Sequence, residues 1–239
     1  MMQGVILAGG FGTRLRPLTN VTNKHLLRVD RYPMIDYSIK ILIESGIDDI
    51  MIILGGESVG DMVKYLGSGK NYGVRFTYRY QDEAGGIAQA ISLCEGFIQQ
   101  EKFMVVLGDN VIENSTRESI EKFFNSDKKA CVFLSHTDRP EEFGIIDFDE
   151  NNEPVRIIEK PKDGRKEGMA VTGIYGYSAD VFEFIKTLKP SQRGELEVTD
   201  INNWYLNRGE LICFDLEGWW HDCGDIDALV ETSRLLREK

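Results

Sequence analysis

The stretch Val5-Ile6-Leu7-Ala8-Gly9-Gly10-Phe11-Gly12-Thr13-Arg14-Leu15-Arg16 carries the main clue to the fold. Residues 5–8 form an unbroken apolar run, short enough for a strand buried on both faces. Glycines follow at once. They let the backbone turn tightly and bring its N–H groups against a phosphate chain without Cβ interference. Arg14 and Arg16 then add charge, so amides and cations converge on one place. The segment is not a Walker loop, because no Gly-Lys-Ser/Thr follows. It is also a poor dinucleotide fingerprint, because Leu15 stands at the third glycine position of GxGxxG. Asp30 does lie about 20 residues on, where a dinucleotide fold would place its ribose acid. Lys24 supplies a point charge beside the bidentate reach of Arg14.

Apolar runs at 50–54 and 103–107 repeat the pattern of 5–8, and amphipathic stretches at 34–45, 59–66 and 87–98 lie between them. That order predicts crossover units and a largely parallel sheet. Val74, Phe76, Tyr78 and Tyr80 alternate with polar residues, as in a half-exposed strand. After Asp109 the pattern turns β-rich, with strands expected at 130–135, 143–148, 155–158 and 171–177. Helices near 181–188 and 199–207, a strand at 211–216 and a last helix capped by Asp225 complete the chain. The expected fold class is α/β: a mixed, mostly parallel central sheet flanked by helices, with a β-rich second lobe. One domain is expected over residues 1–239, in two lobes, 1–110 and 111–239.

Composition narrows the partners. The chain has 239 residues, enough to bury about three-quarters of its unfolded surface, and 42% of them are hydrophobic. Its net charge of −11 excludes general binding of nucleic acid backbones or anionic membranes. The charge is unevenly spread: residues 1–30 carry a net of +3, whereas 195–239 hold eleven Asp or Glu against four Lys or Arg. No apolar stretch approaches the ~18 residues of a membrane span, and Met1-Met2-Gln3-Gly4 does not begin a signal peptide. Cys94, Cys131, Cys213 and Cys223 form no CxxC, and three lie in apolar runs. Reduced thiols and a cytoplasmic protein are expected.

Two carboxylates stand out. Asp109, in Leu107-Gly108-Asp109-Asn110, ends an apolar strand, and in a parallel sheet ligands bind beyond the carboxyl ends of strands. Asp222, in Trp220-His221-Asp222-Cys223-Gly224-Asp225, precedes a helix that Asp225 is better placed to cap. Such a pair could share one Mg²⁺ with substrate phosphates. His25, His136 and His221 have no metal-binding spacing, and no GxSxG elbow occurs.

Taken in order, these motifs resemble the sugar-1-phosphate nucleotidylyltransferases, specifically their glucose-1-phosphate thymidylyltransferase branch. The resemblance rests on Gly9 to Leu15 with Lys24-His25-Leu26-Leu27, Gln81 with Gly85-Gly86-Ile87-Ala88-Gln89-Ala90, and Gly108-Asp109-Asn110. It continues through Phe143-Gly144, Glu159-Lys160-Pro161, Ala170-Val171-Thr172-Gly173 and Gly194-Glu195-Leu196-Glu197-Val198-Thr199-Asp200-Ile201. It implies a Rossmann-like fold and Mg²⁺-dependent transfer of a thymidylyl group from dTTP to glucose 1-phosphate, releasing pyrophosphate. UTP or another hexose 1-phosphate is the near alternative, and a non-catalytic sugar-nucleotide-binding homologue the distant one.

The resemblance also implies residue roles. Leu7, Gly9, Gly10, Gly12, Thr13, Arg14, Lys24, His25, Gln81 and Gly86 would bind the nucleotide. Asn110, Gly144, Glu159, Lys160 and Val171 would bind the sugar phosphate. Asp109 and Asp222 would hold Mg²⁺ and, with Arg14 and Lys24, form the catalytic set. A homo-oligomer is implied too. Two departures are visible: Arg28 stands where the family usually has proline, and Gly85 where many members have aspartate.

Overall fold

A computed structural model of the chain describes residues 2–56 and 58–238. Its first half runs β1 (Gln3–Ala8), β2 (Arg28–Val29), β3 (Tyr32–Pro33), α1 (Met34–Glu44), β4 (Asp49–Gly55), α2 (Val59–Leu66), β5 (Arg75–Gln81), α3 (Ile87–Ser92) and β6 (Lys102–Leu107). Then come β7 (Asn110–Ile112), α4 (Arg117–Asn125), β8 (Ala130–Thr137), β9 (Gly144–Phe148), β10 (Pro154–Glu159) and β11 (Gly168–Ser178). The chain ends with α5 (Val181–Ile185), α6 (Val198–Leu206), β12 (Leu211–Asp215), β13 (Trp220–Asp222) and α7 (Ile226–Arg237).

Strands β5, β4, β1 and β6 lie side by side in that order, all parallel. The β-rich half does not build a separate sheet. β11 pairs antiparallel with β6 and continues the sheet, with β8 along its other edge and β12 parallel to β8. β9 and β10 attach to the start of β11. Strand order therefore reverses at β1, and a crevice opens beyond the carboxyl ends of β1 and β6.

Alternation along β1 explains the layers. Val5 and Leu7 enter one apolar cluster, together with Ala88 and Ile91 of α3, Phe182 of α5 and Ile201 of α6. Ile6 and Ala8 enter another, with Ile39 of α1, Met62 of α2 and Phe123 of α4. Helices thus cover both faces, which is why β1 reads as a continuous apolar run.

Three local readings needed the fold. The helix expected over 87–98 stops at Ser92 and continues as turns whose N–H groups bond three residues back, ahead of Gly96. The helix expected over 181–188 likewise ends at Ile185, before Pro190. α4 is an addition to the expected elements, and it sets Ile120 and Phe123 three residues apart on its buried face. The cap behaves as its position suggests: the Asp225 carboxylate accepts from Ala228 N at 2.9 Å. Among the described residues no helix is long and apolar enough to cross a membrane.

Candidate active site

The glycine segment leaves β1 and curls over Lys24. Gly12 has φ of 63°, the left-handed region that favours glycine, and a Cβ there would come 2.8 Å from Lys24 Cβ. Lys24 opens a short 3₁₀ turn whose first N–H groups are capped by Asn23, which accepts from His25 N at 3.0 Å. From that turn Lys24 reaches Asp109, just beyond β6, with Nζ 2.5 Å from Oδ2. Both side chains are nearly buried.

Asp222 arrives from the far end of the chain. β13 pairs with β7 so that Asp222 lies opposite Asn110, and Cys223 N donates to the Asp109 carbonyl at 2.9 Å. Burial works against the Asp109 charge, but Lys24 and the hydrogen bonds from Lys24 and Asn110 overcome it and hold the carboxyl down at about 2. Asp222 is pushed up to about 7, first by burial and then by the Asp109 charge, against the attraction of Lys24 and Arg14. The ammonium stays protonated because Asp109 and Asp222 outweigh its burial. Lys24 thus serves both carboxylates, with Arg14 adding its charge at Asp222. Asp222 Oδ1 is buried with no hydrogen-bond partner among the described residues.

Two adjoining cavities open on this cluster. The first, about 360 Å³, is lined by Leu7, Gly9, Gly10, Lys24, His25, Gln81, Gly86 and Asp109. The second, about 240 Å³, is lined by Gly144, Glu159, Lys160, Val171 and Asp222. Arg14, Ile87, Leu107 and Glu195 line both. Arg14 is the exposed member, 3.6 Å from Glu142.

Three further residues of the expected set lie directly against this cluster or in its loop. Gly12 and Thr13 shape the loop beside Lys24, where the Gly12 carbonyl accepts from Thr19 Oγ1 at 2.8 Å. Asn110 is fully buried, and its amide is already engaged. Its oxygen accepts from Gly173 N at 2.9 Å and from Trp220 Nε1 at 2.6 Å, while its nitrogen donates to Asp109 at 3.1 Å. In this structure Asn110 braces Asp109 and β13.

Other residues were not anticipated. Thr199 Oγ1 donates to Glu159 at 2.6 Å, and Arg193 bridges Glu159, Glu195 and Glu197 beside the second cavity. Thr199 lies inside a motif already singled out, and Arg193 immediately precedes it, but neither position alone indicates a role. Lys160 has φ of 46°, a strained conformation for a lysine, held by its N–H bond to the Phe143 carbonyl. The 191–197 loop docks on the first cavity through Leu196, whose N–H donates to the Gly85 carbonyl at 2.8 Å.

His25 sits beneath the first cavity, packed on Gly108, with Nδ1 2.8 Å from Asn23 Oδ1. Burial and the Lys24 charge push it down to about 3, so it is neutral when folded. Unfolded, it takes a proton below its ordinary 6.5, so its contribution to stability is complete above 6.5 and is lost as the pH falls toward 3. Between pH 6 and pH 4, denaturant unfolding of the wild type should therefore lose about 1.4 kcal/mol per pH unit more than His25→Asn. Parallel slopes would show that His25 is not the group responsible.

A family profile described as nucleotidyl transferase matches residues 3–239. The chain belongs to the nucleotidyl transferase family. It is 39% identical to a glucose-1-phosphate thymidylyltransferase of Neisseria meningitidis, over 99% of this chain and 83% of that protein. A Mycolicibacterium smegmatis protein of the same name is 36% identical over 99% of this chain and 82% of its own length. A crystal structure of a proposed glucose-1-phosphate thymidylyltransferase from Bacillus anthracis, in complex with a sucrose, matches with a TM-score of 0.93 and 51% identity. That match covers 100% of this chain and 96% of the other. A UDP-glucose pyrophosphorylase complexed with UDP-glucose shares the fold, at a TM-score of 0.87 and 24% identity, over 100% of this chain and 99% of that one.

The protein is therefore an enzyme, a nucleotidyltransferase. For a nucleotidyltransferase the carboxylate pair is the position to test for a cation. The donors are all oxygens, Asp222 Oδ1 is orphaned, and the pair carries more negative charge than Lys24 alone offsets. Among the described residues no group of three or more metal-ligating side chains occurs. The residues present thus fit an oxygen-seeking divalent ion that takes its remaining ligands from substrate and water, as Mg²⁺ does.

Proposed function

We propose that this nucleotidyltransferase transfers a thymidylyl group from dTTP to glucose 1-phosphate, giving dTDP-glucose and pyrophosphate. The observation that carries the reading is the pair of cavities meeting at Lys24, Asp109 and Asp222. One cavity offers backbone amides, cations and a carboxamide, as a nucleoside triphosphate needs. The other offers Glu159, Lys160 and backbone groups, as a sugar phosphate needs. The names of the relatives point the same way. In this reading residues 1–110 mainly serve the nucleotide and 111–239 mainly the sugar, within one catalytic unit. The four free thiols suit a reducing, cytoplasmic setting.

A phosphate oxygen of glucose 1-phosphate attacks the α-phosphorus of dTTP in line. A phosphate monoester with a second pKa near ~6 is already mostly dianionic, so the reaction needs no general base. The barrier is anion repulsion and the charge growing on the leaving pyrophosphate, and positioned cations lower it. Lys24, kept protonated by the two carboxylates, neutralises the α-phosphoryl oxygens. Arg14, on the rim of both cavities, neutralises the leaving group. Glu159 accepts from sugar hydroxyls, its orientation held by Thr199 and Arg193. Asp109 and Asp222 would hold Mg²⁺, which when bound supplies Lewis-acid stabilisation of phosphoryl charge.

The test is pyrophosphate release with Mg²⁺, a panel of nucleoside triphosphates and a panel of sugar 1-phosphates. Release should be fastest with dTTP and glucose 1-phosphate. A faster rate with UTP or another hexose 1-phosphate would overturn that choice of substrates, and no release with any pair would overturn the activity.

A further inference from the structure

The carboxamide at the far end of the first cavity is held from outside it. Gln81, the last residue of β5, donates from Nε2 to Oε1 of Gln89 on α3 at 2.6 Å. The stem of Gln89 lies against Gly85, where a Cβ would approach Gln89 Cγ to 2.9 Å. At the other end of the amide, Gln81 Oε1 lies over Gly9, and a Cβ on Gly9 would collide with it. A free glutamine amide turns half round at little cost and exchanges donor for acceptor. Here one N–H is committed to Gln89, and turning Gln81 alone would set carbonyl against carbonyl.

We propose that Gln89 is a positioning residue for nucleobase selection. By accepting one N–H of Gln81, it fixes the order in which Gln81 presents its carbonyl and its remaining N–H. That order complements an imide edge, the ring N–H beside a carbonyl found in thymine and uracil. It mismatches the edge of cytosine, where an acceptor nitrogen lies beside an amino donor. Gln89 touches no substrate and acts only through Gln81. The inference rests on the reading of the first cavity as a site for a pyrimidine nucleoside triphosphate.

The test compares dTTP with CTP, by calorimetric binding without sugar phosphate and by kcat/KM with glucose 1-phosphate. Gln89→Leu removes the acceptor and should lower the preference for dTTP over CTP about tenfold, the worth of about one hydrogen bond. Gln89→Glu can only accept and should keep the preference within about twofold of wild type or raise it. The KM for glucose 1-phosphate should not follow the nucleotide preference. An unchanged dTTP/CTP ratio in Gln89→Leu, or equal losses for both nucleotides in both variants, would overturn the proposal while leaving the proposed activity intact. A wild type that binds neither nucleotide would overturn the functional reading and this inference with it.

Discussion

Asp109→Asn and Asp222→Asn should each lower kcat by about 10³-fold or more, while dTTP binding measured by calorimetry partly survives. Binding survives because the glycine loop, Arg14 and Gln81 remain. The two variants part company in stability. Burial and Asp109 both oppose a charge on Asp222, so its neutral replacement should leave thermal unfolding unchanged or raise its midpoint. Asp109 is the direct partner of a buried ammonium at 2.5 Å, so Asp109→Asn should cost about 2 kcal/mol. The cost falls below the ~3–5 kcal/mol of a fully broken buried pair because Asp222 takes up part of the Lys24 charge. Near-normal turnover in either variant would falsify the assignment of the pair to the reaction. A stabilised Asp109→Asn would contradict the electrostatics.

Lys24→Gln should reduce kcat/KM about 10²- to 10³-fold through lost charge at the transferring phosphoryl group. It also leaves Asp109 and Asp222 facing one another in a buried place with only the exposed Arg14 to offset them. The Asp109 pKa then rises, so the folded state takes up a proton that the unfolded state does not. The destabilisation, about 3 kcal/mol near pH 8, should shrink as the pH falls toward 5. Lys24→Gln combined with Asp109→Asn should recover most of that stability with no recovery of activity. If the double variant is no more stable than the single one, the Lys24–Asp109 pair is not the source of the cost. A Lys24→Gln enzyme within about fivefold of wild type would remove Lys24 from the chemistry.

Much of the candidate site is legible in the sequence because its signals are local. The signal from Gly9 to Arg14 lies in adjacent residues, since a strand, a tight turn and a cation follow one another there, as the proposed phosphate site requires. The Asp225 cap is a one-turn motif, and α1, with Ile35, Ile39 and Leu42 on one face, is a period of 3.6. Gly144 and Glu159 were recognised separately, and the β9–β10 register brings them directly opposite one another. What failed to show was long-range. Asn110 reads as a polar residue at a strand end, and only the approach of Gly173 and Trp220 turns it inward. Arg193 is an ordinary loop arginine until β10 sets Glu159 beside it, next to its neighbour Glu197.

The opposite charges at the two ends of the chain show the same division. Sequence alone determined that basic residues gather at a glycine turn, that a carboxylate ends β6, and that a second precedes the last helix. Composition, periodicity and spacing record such neighbourly facts directly. Tertiary structure alone decided that β13 would pair with β7, setting Asp222 against Asp109 and Lys24. It also decided that the Lys24 pairing of Asp109, and the Asp109 charge beside buried Asp222, would drive the two carboxyls apart in pKa, and that Gln89 would hold the amide of Gln81. Each of these depends on the distance and dielectric between segments remote in sequence, and those quantities exist only once the chain has folded.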